Sequence, residues 1–128
     1  MRHIIFRGKR LDNGEWVEGY LADIITGVQG FEDRAIIVPF GTALAIACDP
    51  STVGQYTGLK DRYGDRIWEG DILRSENGYA EPIGWSQDNA GFATMDFANG
   101  EYIYEIDQFL ASTKTISGTI HDNPDLLK

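Results

Sequence analysis

VGQYTGLKDRYGDRIWEGDIL, running from Val53 to Leu73, sets two β-type segments on either side of a polar, glycine-bearing turn that no helix could pass through. Val53–Leu59 supplies the first run. In Lys60–Arg66, Asp61 and Gly64-Asp65 bring side-chain acceptors and glycine's dihedral freedom to a reversal. Ile67–Leu73 then returns as the partner strand. Gly70 interrupts it between Glu69 and Asp71, which predicts a bulge or a close approach by another backbone. The stretch decides a fold class and not a reaction, because its polar residues sit where turns need them.

Toward the N-terminus, an extended run from His3 to Arg10, an Asn13-Gly14 turn and a second run from Glu15 to Leu21 read as a hairpin. Trp16, Glu18 and Tyr20 alternate with Val17, Gly19 and Leu21 across the two faces of that second run. Ala22–Arg34 reads as a strand fragment and a loop. Ala35–Phe40 is a strand that meets its edge or end at Pro39, and Thr42–Cys48 is read as a further strand. Asp49-Pro50-Ser51 turns the chain into the central stretch.

Toward the C-terminus, turn signals recur at Asn77-Gly78, Asn89-Ala90-Gly91 and Asn99-Gly100, a rhythm of short strands that belongs to barrels and sandwiches. Ala80–Trp85, Gly91–Asp96 and Glu101–Ile106 fill the gaps. Asp107–Ala111 forms a helical turn, Lys114–Ile120 the last strand, and Asn123-Pro124 caps a short helix. The expectation is a mainly β, single-domain antiparallel fold over residues 1–128, barrel-like or a sandwich, with a short C-terminal helical turn.

The totals agree. A chain of 128 residues is long enough for one core, and 15 glycines, well above the roughly 7% average, call for tight turns rather than long helices. Cys48 cannot form an intramolecular disulfide and reads as a small buried hydrophobe. The absence of a membrane-length apolar run or an apolar leader gives a cytoplasmic reading. The net charge of −9 is uneven: residues 1–74 carry nine Lys/Arg against eleven Asp/Glu, residues 75–128 only two against nine. That balance opposes nonspecific binding to phosphate backbones.

Three stretches resemble the YopX family of phage and prophage proteins: FRGK at Phe6–Lys9 followed by GEWVEGYL, the central Val53–Leu73, and SGTIHDNPDLL at Ser117–Leu127. The resemblance implies a compact β-rich fold encoded by a phage or an integrated prophage. It implies no activity, since the family is one of unknown function.

Candidate chemistry is sparse. Glu69 and Asp71, two apart on a strand, are the minimum for a paired-carboxylate or divalent-cation site; the competing reading has Asp71 bonded to backbone amides. Asp61–Asp65 fails calcium-loop spacing, and His3 and His121 have no second histidine or cysteine at i+2 or i+4. No phosphate-loop, dinucleotide or nucleophile-elbow motif occurs. No cofactor is called for. A nucleic-acid surface would use Arg7 and Lys9, which point the same way on a strand, and Lys60–Arg66, with Tyr56, Tyr63 or Trp68 for stacking; ion pairing with the abundant carboxylates is the alternative use. A metal-dependent enzyme at Glu69 and Asp71 ranks third. The leading expectation is a noncatalytic interaction or regulatory module that contacts a host or phage protein through Arg7, Lys9, Tyr56, Lys60, Tyr63 and Trp68. Self-association would protect exposed strand edges.

Overall fold

The computed structural model describes residues 4–96 and 98–127; His3 lies outside them. The chain divides into two compact units, Met1–Tyr56 and Thr57–Lys128.

In the first unit, β1 (Phe6–Lys9) and β2 (Trp16–Ile25) form the expected hairpin, pairing antiparallel with Arg7 opposite Glu18 and Lys9 opposite Trp16. The reversal is built from local groups: Gly14 takes φ +72°, and the Asn13 Oδ1 accepts from the Glu15 amide at 2.9 Å. β3 (Arg34–Val38) pairs with β2, and β4 (Ile46–Cys48) with β3. Val38 is the last residue of β3, so Pro39 marks a strand end. The strand expected over Thr42–Cys48 contracts to its last three residues. Gly41 at φ +75° and two bonds from Thr42 to the Pro39 carbonyl hold the preceding chain in a turn.

The core of this unit is Ala35, Ile37 and Cys48, each 0% exposed, with Val17, Leu21, Ile46 and Val53 packed against them. Gly8 lets β1 lie on that core: a Cβ there would meet Cys48 Cβ and Ile37 Cδ1, each at 3.1 Å. Asp49 caps a 3-10 turn at Pro50–Thr52, and β5 (Gly54–Lys60) then pairs with β1 through Gly54 and Gln55.

β5 continues into the second unit, where its neighbour is β6 (Arg66–Trp68). The Thr57 hydroxyl donates to the Ile67 carbonyl at 2.7 Å, so the two ribbons flanking Lys60–Arg66 meet as expected. Asp61 holds the turn between them. Its Oδ1 accepts from the Tyr63 and Asp65 amides at 2.9 Å each, and its Oδ2 from Ile116 at 3.2 Å.

Ile67–Leu73 is not one strand. Gly70 takes φ +90°, and the chain leaves β6 for a different sheet as β7 (Asp71–Arg74), which pairs with β8 (Ala80–Ser86) and β11 (Thr115–Thr119). β9 (Gly91–Met95) and β10 (Tyr102–Glu105) complete that sheet in the order β10-β9-β8-β7-β11. The first sheet runs β4-β3-β2-β1-β5-β6. Both are antiparallel and open at two edges, so the barrel-like alternative gives way to two unclosed sheets.

One turn of helix, α1 (Gln108–Ala111), is capped by the Asp107 carboxylate on the Leu110 amide at 2.9 Å. Pro124–Leu127 is a 3-10 turn. The core here is Ile67, Leu73, Ile83, Ile106 and Ala111, joined by Leu59, Phe92, Leu110 and Ile116.

Candidate interaction face

Alternation along β1 and β2 sends Phe6, Gly8, Val17, Gly19 and Leu21 to one face of the first unit's sheet and Arg7, Lys9, Trp16, Glu18 and Tyr20 to the other. The second set makes a continuous row. Arg7 lies diagonal to Trp16 in the register, and its guanidinium carbon stands 4.5 Å from the indole centroid, with Lys9 Nζ at 5.6 Å. The two cations share one aromatic ring. Further along, Tyr20 is 58% and Phe40 43% exposed, and their rings meet edge to face at 4.4 Å. Edge-to-face packing brings the positive ring edge onto the negative ring face, which holds both rings in place without burying them.

Trp16, Tyr20 and Phe40 were not among the contact residues read from the sequence. Register made Trp16 findable: once Lys9 is paired opposite it, strand alternation places the ring beneath both cations. Phe40 lies beyond the end of β3, so only tertiary structure carries it to Tyr20.

The other candidate residues are placed as follows. Tyr56, at the end of the first unit, is half-buried and donates its amide to the Ile5 carbonyl at 2.8 Å. Within the second unit, Tyr63 is 71% exposed at the loop tip, whereas Trp68 is 4% exposed and offers no stacking surface. The Lys60 backbone is clipped by the Gln108 side chain, whose Oε1 accepts from the Lys60 amide at 3.1 Å while its Nε2 donates to the Lys60 carbonyl at 2.9 Å. Arg62 pairs with Glu76 at 3.1 Å. The Lys60–Arg66 cations thus flank a structural loop, with its carboxylate Asp61 turned inward.

Glu69 and Asp71 do not share a strand: Glu69 and Gly70 form the turn after β6, and Asp71 opens β7. Asp71 is 1% exposed, and its Oδ2 accepts from the Trp68 amide at 2.7 Å, the backbone-bonded role. Among the described residues, no group of three or more His, Cys, Asp or Glu is placed to hold a metal ion. His121 sits beside Gly70, where a Cβ on the glycine would lie 3.3 Å from Nε2. Cys48 is a free, fully buried thiol; burial raises its pKa, with Arg10 opposing and Asp12 adding to the rise.

A family model described as YopX protein matches residues 6–128. A crystal structure of protein EF1440 from Enterococcus faecalis is similar with a TM-score of 0.56, at 21% identity and with all of both chains covered, which speaks to the fold alone. No curated protein matches. Among the described residues, no helix is long and apolar enough to cross a membrane.

Proposed function

Since the chain belongs to the YopX protein family, which is associated with phages and prophages, we propose that it is a noncatalytic phage-encoded interaction module that docks on a host or phage protein in the bacterial cytoplasm. We take residues 1–128 as one YopX-like domain, a reading supported by a single family model running across both units. The observation that carries the functional reading is the row Arg7–Trp16–Tyr20–Phe40 on one face of the first unit's sheet. Trp, Tyr and Arg are the side chains that dominate protein–protein binding energy, and Tyr20 and Phe40 keep large rings in water that folding alone gives no reason to expose.

Nucleic acid remains the second reading, supported by the convergence of Arg7 and Lys9 on Trp16. The overall −9 charge works against it, and the indole face a base would need is already occupied by cations.

One experiment separates the two. A photo-crosslinking side chain at position 20 is expected to trap a discrete protein from nuclease-treated host lysate, and the same group at position 63 is not. Tyr20→Ala with Phe40→Ala should abolish capture by a crosslinker at position 18 while the fold, read by circular dichroism, persists. Equal trapping at 20 and 63, or capture that disappears with nuclease, sinks the protein-docking reading.

A further inference from the structure

The second unit holds a cavity of about 510 Å³ lined by Arg62, Ser75, Glu76, Asn77, Ser112 and Thr113, unrelated to the row on β1 and β2. Its hydrogen-bond capacity follows from atoms already engaged. Lys114 is 7% exposed, and its Nζ lies 2.8 Å from the Ser75 Oγ. An ammonium only donates, so Ser75 Oγ is the acceptor and its own hydrogen must go elsewhere. Among the described residues no protein acceptor takes it. Ser75 therefore presents a hydroxyl proton to the cavity it lines, polarised by the cation behind it.

Asn77 uses its Oδ1 on the Tyr79 amide at 3.0 Å, which turns its two amide hydrogens away from that bond. Ser112 and Thr113 spend their hydroxyl hydrogens on the carbonyls of Phe109 and Leu110, both at 2.7 Å. The donors facing the cavity thus come from Arg62, Ser75 and Asn77. Glu76 holds one guanidinium nitrogen of Arg62 at 3.1 Å, but that carboxylate is 78% exposed, and an exposed pair of this kind yields readily to a competing anion.

Behind Ser75 the cation is buried against an aromatic ring. Lys114 Nζ stands 5.6 Å from the Tyr104 ring centroid, and the Tyr104 hydroxyl interacts with both Lys114 and the buried Glu81. Lys114 is thus buried between the Ser75 hydroxyl, to which it donates, and the Tyr104 ring.

We propose that this cavity binds a small organic anion by its phosphate or carboxylate head, with the Ser75 hydroxyl as the central donor and Arg62 and Asn77 beside it. The volume lies in the range of small-molecule sites, so an organic body accompanies the head group.

The test is a titration of isotope-labelled full-length protein followed by amide NMR at constant ionic strength, using inorganic phosphate, adenosine 5′-monophosphate and citrate as probes and sodium chloride as the control. Saturable shifts confined to residues 62, 75–77 and 112–114 are expected with at least one organic probe, and binding about tenfold weaker in both Ser75→Ala and Arg62→Gln. Glu76→Gln should bind more tightly. Phosphate against citrate tells which head group is preferred. Lack of a saturable shift with all three probes at about 20 mM overturns the proposal, a concentration at which even very weak sites fill. So does a response that chloride reproduces, or binding that both donor variants leave unchanged.

Discussion

Gly19→Ala should be among the most damaging single-methyl additions in this protein. A Cβ built on Gly19 would lie 2.2 Å from the Val38 carbonyl oxygen, 2.7 Å from its carbon and 2.8 Å from the Pro39 Cα. All three are backbone atoms, so no rotamer change relieves the contact. The oxygen is 0.8 Å inside the 3.0 Å that real Cβ contacts respect, and β3 would have to move away from β2 by that order at the point where Tyr20 pairs with Val38. Overpacking of this kind costs about 1–3 kcal/mol. Weakening one or two ladder hydrogen bonds adds about 1 kcal/mol each, and the alanine's smaller unfolded-state entropy returns about 0.4–1 kcal/mol. The net loss is about 1–5 kcal/mol, centred on about 3 kcal/mol. Gly14→Ala is the control: it meets nothing within 4 Å, and its φ of +72° costs about 1–2 kcal/mol. Urea denaturation followed by tryptophan fluorescence would measure both. If Gly19→Ala matched the wild type or lost less than Gly14→Ala, the account of β2–β3 packing would be wrong.

Two further outcomes follow from the second unit. Asp71→Ala removes a charged acceptor from the buried Trp68 amide and should cost about 2–3 kcal/mol, with Asp71→Asn costing less because an amide oxygen can still accept; magnesium or calcium should leave the melting temperature of either protein unmoved, and a rise seen only in the wild type would restore a metal role to this carboxylate. The Tyr104 phenol is pushed above its ordinary 10.0, first by burial and then by its bond to Glu81, with Lys114 opposing. Above about pH 10 the folded state keeps a proton that the unfolded chain has lost, so the stability this group contributes is whole below pH 10 and drains away as pH rises through the folded value. Wild type should therefore lose stability more steeply than Tyr104→Phe above pH 10, and parallel curves up to pH 11 would contradict the placement of this phenol.

The turns were readable because the groups that make them are neighbours in the chain. Asn13-Gly14, Asp61 with Gly64-Asp65, Asn77-Gly78 and Asn99-Gly100 reverse the backbone through glycine dihedrals and side chains bonded two to four residues away, and each stands where the residues place it. The turns at Asp49–Ser51 and Asp107–Ala111 were legible for the same reason, whereas the cap expected at Asn123 is not made, its Oδ1 accepting from the Thr119 amide at 3.2 Å. The candidate face was half legible: alternation put Arg7 and Lys9 together and Trp16 and Tyr20 together, but the residues chosen for stacking included Trp68, which folding buries.

What the sequence by itself determined is the strand-rich class and most of the reversals, since these depend on local dihedral preferences and on side chains reaching nearby amides. Tertiary structure alone decided the pairings beyond the β1–β2 hairpin and the two ribbons that flank Lys60–Arg66, and three consequences show it. Gly70 sends β7 into a different sheet from β6, although Ile67–Leu73 looks like one continuous strand. Phe40 joins Tyr20 across a fold in the chain. Lys114 reaches Ser75 from 39 residues away. Pairing is governed by which apolar faces can be buried together across long loops, and that sum is taken over the whole chain rather than over any window of it.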